Sequence, residues 1–267
     1  MTFDLDALDP AYSTILCDIW GVVHDGVRLN PGVAERLMRW AGEGRTIILI
    51  TNAPRTAETV RGQLDALGLP RAAYRGITTG GQAGIDALVK LGKPVGLIGT
   101  RGDRIDLEHA GLTVVEEGFA DLACTGLDED RDTVADYAEQ LEALAKQGVT
   151  LHCLNPDRVV MVGSSAEICA GALADAYEAL GGRTCWYGKP WPAVYDHALG
   201  LAGDPPRASV LAIGDGLVTD VVGAARNGLA CLYVTGGISR GAGLPEGFAA
   251  EHGLGDWSPV GVVDTIG

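Results

Sequence analysis

Short apolar runs rich in β-branched residues alternate along this chain with helix-length segments whose apolar positions recur every three or four residues. "STILCDI" (residues 13–19) leads to a helical stretch from Pro31; "RTIILIT" (45–51) leads to a helix reaching about Leu67, and further rounds follow. Runs without polar alternation predict strands buried on both faces. Such strands separated by helices predict an α/β fold in which a parallel sheet is covered on both faces. Asn30 before Pro31 predicts a helix start, a cap followed by proline in the first position. Within "VVHDGVRL" (22–29), two apolar runs flank Asp25-Gly26, a dipeptide suited to a tight hairpin turn. That hairpin would follow the first strand and overhang the carboxyl edge of the sheet, where α/β proteins place their sites.

The same alternation suggests how the chain is divided. Residues 80–183 contain "PVGLIGT", the amphipathic segment "DTVADYAEQLEALAKQ", "VTLHCLN" and a long helix ending "YEALGG", enough for a separate α/β unit. The chain then resumes with "RTCWYGKP", "ASVLAIGD" and "ACLYVTGG". We therefore expect residues 1–79 and 184–267 to form one core, with 80–183 inserted as a second domain.

Composition narrows the function classes. The chain has 267 residues, 47% hydrophobic and 21% charged, with a net charge of −15. That charge argues against nucleic acid or anionic membrane as a partner, because both reward clustered Lys and Arg. The start, "MTFDLDALDPAY", lacks the basic and apolar regions of a signal peptide, and no apolar stretch nears the roughly 18 residues of a membrane span. Six scattered cysteines with no C-x-x-C read as reduced, buried thiols, so the cytoplasm is the expected location.

Candidate chemistry gathers where buried strands give way to polar or glycine-rich text. Asp18 follows "STILC", Thr51-Asn52 follow "TIILI", Lys189 follows "TCWYG", and Gly214-Asp215 follow "SVLAI". In a parallel sheet these points share the carboxyl edge. Carboxylates suit Mg²⁺, a hard cation; a Thr hydroxyl, backbone N–H groups and an ammonium suit phosphate oxygens. Each has a plainer explanation as a turn former, a helix start or a solvated loop, and Asp220 would sit well near a helix N-terminus. Their ordered combination is harder to explain as structure alone.

In that order the motifs resemble the haloacid dehalogenase (HAD) superfamily, most closely its class IIA, the NagD-like or nitrophenylphosphatase-like group. The resemblance covers nearly the whole chain. "HDGVRLNPG" is similar to the segment after the first motif, "ITNAPR" to the second motif, "YGKP" to the third and "IGDGLVTD" to the fourth. "ITTGGQAGIDAL" and "LHCLNPDRV" resemble the entry and the Asn-Pro-Asp signature of the class's large α/β cap. The resemblance implies a three-layer Rossmann-like core with an inserted cap, acting on a small phosphorylated metabolite with Mg²⁺. Asp18 would be nucleophile and metal ligand, Thr51 and Asn52 phosphate binders, and Lys189 a phosphate-binding catalytic cation. Asp215 would ligate the metal, with Asp220 supporting it. Asn155 and Asp157 could contact substrate from the cap, although a turn explains them equally well. Caps of this type often pair in the family, so a homodimer through the cap is a further expectation.

One departure stands out. The superfamily's first motif is D-x-D-G; here it is Asp18-Ile19-Trp20-Gly21. By the resemblance, the backbone carbonyl of the third residue ligates the metal, and Trp20 retains that group. Its indole cannot replace the carboxyl that protonates the leaving oxygen and activates water. General acid–base catalysis supplies about 10²–10⁴-fold, roughly 3–5 kcal/mol of barrier. Alkyl phosphates should therefore suffer more than aryl phosphates. His24 is the best substitute base by chemistry and Asp25 the second. Three functions share these residues: a phosphatase, a phospho-ligand binding or regulatory protein with little turnover, and a phosphoryl transferase.

Overall fold

A computed structural model describes residues 3–162, 165–237, 241 and 243–267. Among these residues there are twelve strands. In chain order they are β1 (Thr14–Asp18), β2 (Thr46–Thr51), β3 (Gly76–Thr79), β4 (Gly96–Ile98), β5 (Asp121–Cys124), β6 (Thr150–Cys153), β7 (Val159–Val162), β8 (Ser165–Ile168), β9 (Arg183–Trp186), β10 (Val210–Gly214), β11 (Ala230–Val234) and β12 (Gly261–Val263). The fold is α/β, as the alternation predicts.

The chain divides into two compact units, one of residues Met1–Thr51, Val60–Thr78 and Tyr195–Gly267, the other of Asn52–Thr59 and Thr79–Val194. The first is built on a six-stranded sheet in the order β12-β11-β10-β1-β2-β3. Every residue of β1 and β10 is buried, the signature of a sheet covered on both faces. One covering helix, Val33–Gly42, buries Val33, Leu37 and Trp40, spaced so as to share one face. Its start differs from expectation. Gly32 occupies the cap position with a left-handed backbone, while the Asn30 amide donates to the carbonyls of Gly21 and Val22. Asn30 ties down the loop after β1 rather than capping the helix.

The second unit has a parallel four-stranded sheet, β4-β5-β6-β9, and the antiparallel pair β7-β8. Alternate residues of β5 serve opposite faces. Leu122 and Cys124 join a core with Tyr137, Leu141, Leu173 and Tyr177, whereas Ala123 joins one with Ile85, Leu88 and Leu107. The segment 132–147 begins with a tight 3₁₀ turn, Val134–Tyr137, capped reciprocally by Thr133 and Asp136, before the α-helix Ala138–Lys146. The sequence reading starts the second half of the core at 184. Strand β9 pairs instead with β6, from Thr150↔Arg183 to Cys153↔Trp186, so the segment leading to Lys189 belongs to the four-stranded unit.

None of the six cysteines is in a disulfide, and all but Cys185 are buried; burial pushes the Cys124 thiol up to about 12. No helix among the described residues is long and apolar enough to cross a membrane.

Candidate active site

In the first unit the chemistry follows from strand register. Cys17 pairs with Ile213, which places Asp18, the last residue of β1, level with Gly214 at the end of β10. Asp215 is the next residue. The chain builds outward from β1 in one direction through β2 and β3, then in the other through β10, β11 and β12. The β1/β10 boundary is thus a topological switch point, where open α/β sheets hold their ligands. Thr51 ends β2, one residue beyond the partner of Asp18, and is buried.

Asp18, Asp215 and Asp220 are all buried, and each offers a carboxylate oxygen within 4.8 Å of the others. Asp220 arrives from one turn of π-helix, Leu217–Val221, placed directly after the β10 loop. Such turns are rare and cluster at functional sites. Its carboxylate accepts from the Gly216 N–H (3.2 Å) and the Thr219 hydroxyl (3.1 Å), which fixes its orientation.

Glycines make room for these acids. A Cβ on Gly21, whose φ is +88°, would lie 2.1 Å from Oδ2 of Asp215, and one on Gly237 would lie 1.9 Å from the same atom. The Asp215 carboxylate therefore sits in a cradle that only glycines leave open. Three converging carboxylates favour a cation among them. An all-oxygen donor set is the chemistry of Mg²⁺ or Ca²⁺ rather than of a softer metal. The residues present fit a hard divalent cation.

The loop after β1 accounts for three other sequence candidates. The Gly21 N–H donates to the His24 carbonyl, and His24 bridges to Leu29, closing a turn over residues 25–28. Inside it, the Asp25 carboxylate accepts from the N–H groups of Val27 and Arg28, both at 2.9 Å. Those bonds hold its carboxyl below the usual carboxylate range. His24 is buried, and its Nδ1 accepts from the Gly26 N–H at 2.9 Å, which leaves the proton of the neutral ring on Nε2. Burial lowers its pKa, outweighing the opposing pull of Asp25. Trp20 is exposed, and its ring meets the His24 ring edge-on with centroids 5.3 Å apart.

The second unit holds the remaining candidates. Lys189 is buried, and its main chain is gripped by the Asn52 side chain: the Lys189 N–H donates to Oδ1 (2.6 Å), and Nδ2 donates to the Lys189 carbonyl (3.3 Å). The same Nδ2 donates to Oδ1 of Asp157 at 2.8 Å. Asn155 accepts the Asp157 N–H through its own side chain (3.1 Å). Asn52, Asn155 and Asp157 thus form one hydrogen-bonded group around the lysine segment.

Gly21, Gly237 and Thr219 join the acidic site without being marked as its parts by the sequence. The signal was present in the glycines flanking each strand end, but which acid each one admits becomes visible only in three dimensions.

In the first unit, then, a buried acid ends a central strand and two more converge on it. A family model described as "Haloacid dehalogenase-like hydrolase" matches residues 15–113, and a HAD-hydrolase-like model matches residues 186–265. A haloacid dehalogenase-like hydrolase of Brucella suis 1330, known from a crystal structure, is 35% identical with a TM-score of 0.83, and the match covers 99% of each chain. The ribonucleotide monophosphatase NagD of Escherichia coli (strain K12) is 29% identical over 231 residues, 84% of this chain and 88% of its own length. The glycerol phosphate phosphatase Rv1692 of Mycobacterium tuberculosis, solved in complex with calcium, is 26% identical with a TM-score of 0.69, covering 85% of this chain and 67% of the other. This chain belongs to the haloacid dehalogenase-like hydrolase family.

Proposed function

We propose that the protein is a Mg²⁺-dependent phosphatase of a small phosphorylated metabolite, with Asp18 as nucleophile. The observation that carries this reading is the convergence of Asp18, Asp215 and Asp220 at the β1/β10 switch point. The names of the relatives support it: NagD is a ribonucleotide monophosphatase, and Rv1692 is a glycerol phosphate phosphatase solved with calcium. Asp18, the Trp20 carbonyl and Asp215 would hold the cation, with Asp220 braced behind them. When bound, the cation would offset negative charge on the phosphate and on the acids around it.

In the first step a carboxylate oxygen of Asp18 bonds to phosphorus while the bond from phosphorus to the ester oxygen breaks. The products are an aspartyl-phosphate and an alkoxide or aryloxide. In the second step water attacks phosphorus, the bond to the Asp18 oxygen breaks, and inorganic phosphate leaves with the carboxylate restored. Splitting the displacement in this way replaces one difficult step by two easier ones. Thr51 and Lys189 serve as donors to phosphate oxygens, whose charge must be stabilised throughout.

Trp20 provides no carboxyl to protonate the departing oxygen. His24 presents its Nδ1 lone pair to the Gly26 N–H, and Asp25 uses its carboxylate on its own turn. Neither is set up as a replacement base. The leaving group then departs as an anion that takes its proton from solvent, which restricts fast turnover to good leaving groups. Leaving-group preference, pairing of two copies through the four-stranded unit, and a cytoplasmic location complete the reading.

The test is hydrolysis of p-nitrophenyl phosphate and of an alkyl phosphate with Mg²⁺ present. The aryl ester should turn over much faster, and Asp18→Asn should abolish both reactions. Equal rates on the two esters would refute the missing acid, and an active Asp18→Asn would refute the nucleophile. If neither ester turns over while inorganic phosphate binds tightly, the protein is a phospho-ligand binder. An aspartyl-phosphate discharged faster by an added alcohol than by water would make it a transferase.

A further inference from the structure

The four-stranded unit holds a hydrogen-bonded group of polar residues of which the proposed chemistry uses only Lys189. Asp157 follows β6, Asn52 is the first residue of its own segment, and Lys189 follows β9. Asn52 is buried, and the contacts of its amide all lie within the protein. Oδ1 accepts from the Lys189 N–H, and Nδ2 is divided between Asp157 and the Lys189 carbonyl. The backbone packing around it is equally tight. A Cβ on Gly188 would lie 2.7 Å from Oδ1 of Asn52 and 2.3 Å from the Pro156 ring; one on Gly80 would lie 2.4 Å from the Leu154 carbonyl.

An amide side chain that holds both the N–H and the carbonyl of one residue fixes the peptide plane on each side of it. The residue held here is Lys189. An amide can, however, be rotated by half a turn, which exchanges its donor and acceptor ends. The Lys189 N–H and carbonyl already favour one orientation, and the acceptor at Asp157 reinforces it, because only the NH₂ end can face a carboxylate. Asn155, through its bond to the Asp157 N–H, holds the acidic residue in turn.

We propose that Asp157 is a positioning residue for Lys189: it orients the Asn52 amide, and Asn52 in turn sets the main chain from which the lysine side chain extends. The inference rests on the reading of Lys189 as a phosphate-binding cation. It gives the Asn-Pro-Asp stretch a role distinct from contact with the leaving group. A clamp on Lys189 acts on the phosphoryl group, which every substrate shares. A contact with the leaving group would act differently on each substrate.

The test compares wild type, Asp157→Ala and Asp157→Asn, with kcat and KM measured on p-nitrophenyl phosphate and on a ribonucleoside monophosphate, and with the affinity for inorganic phosphate measured by calorimetry. Asp157→Ala should lower kcat by about tenfold or more on both esters and by the same factor, since small misplacements of a catalytic group carry losses of that order or larger. It should also weaken phosphate binding. Asp157→Asn keeps an oxygen acceptor for Asn52 and should recover most of the loss on both measures. An Asp157→Ala that matches wild type, or a loss confined to one ester, would overturn the clamp. So would an Asp157→Asn as impaired as Asp157→Ala. A wild-type protein that neither hydrolyses an ester nor binds phosphate would overturn the phosphatase reading itself, whatever the variants do.

Discussion

The indole of Trp20 lies across Gly26. A Cβ added to that glycine, whose φ is +92°, would come within 2.4 Å of Cη2 of the ring. Trp20 is therefore built into the hairpin that follows the first strand. Its ring also meets His24 edge-on, and His24 in turn accepts the Gly26 N–H. Trp20, His24 and Gly26 form one small packed structure.

That packing shapes the outcome of restoring the carboxylate. Trp20→Asp should raise the rate on an alkyl phosphate relative to p-nitrophenyl phosphate, because a proton donor now faces the leaving oxygen. It should also lower stability by about 0.5–3 kcal/mol, the usual range for a destabilising substitution. Ratios of kcat/KM on the two esters and urea denaturation measure the two effects separately. An unchanged ester ratio in a folded variant would mean that position 20 is not where the proton is lacking.

The three acids give a metal prediction with a thermodynamic readout. A cation that binds only the folded chain stabilises it by about 2.7 kcal/mol at a hundred times its Kd. The melting temperature should therefore rise with Mg²⁺ concentration, and EDTA should abolish both the rise and the turnover. Asp215→Asn removes one carboxylate of the cluster and should move the rise to higher Mg²⁺. A melting temperature that ignores Mg²⁺ across the millimolar range would count against a metal at these residues.

His24 makes stability depend on pH. Burial lowers its pKa in the folded protein below the unfolded value near 6.5, so in the interval between the two the unfolded chain binds the extra proton. Stability then rises with pH through that interval. Its contribution is complete above the unfolded pKa and is lost as pH falls towards the folded one. His24→Asn keeps an acceptor for the Gly26 N–H but cannot titrate. Urea denaturation at pH 7 and pH 5.5 should show a smaller decrease for His24→Asn than for wild type. Equal decreases would show that the acid sensitivity arises elsewhere.

Much of the fold was legible because buried parallel strands announce themselves as unbroken apolar runs. β1, β2, β10 and β11 lie where "TILC", "TIILI", "VLAI" and "ACLYV" stand. Asp18 and Asp215 were legible for the same reason, each being the first acid at the end of such a run. Sheet membership was less legible. "RTCW" reads as a strand, but nothing local says whether its partner is β6 or a strand of the six-stranded sheet. The π-turn that delivers Asp220 was hidden as well, since its sequence also reads as an ordinary helix start. Asn52 stands within a motif, "ITNAPR", yet its partners Asp157 and Lys189 lie 105 and 137 positions further along. Bonds over such separations leave no local trace in the pattern of residues.

The Asn52 bonds also bear on modularity. The chain passes between its two units after Thr51, Thr59, Thr78 and Val194, so the second unit is not one continuous insertion. A fragment of residues 79–194 would carry the whole of β4, β5, β6 and β9 but not Asn52. Its Lys189 N–H and Asp157 carboxylate would lack the amide that joins them. Exchanging this domain between relatives at its obvious borders would transplant a lysine without the residue that holds it, and a working graft needs the short Asn52–Thr59 segment as well.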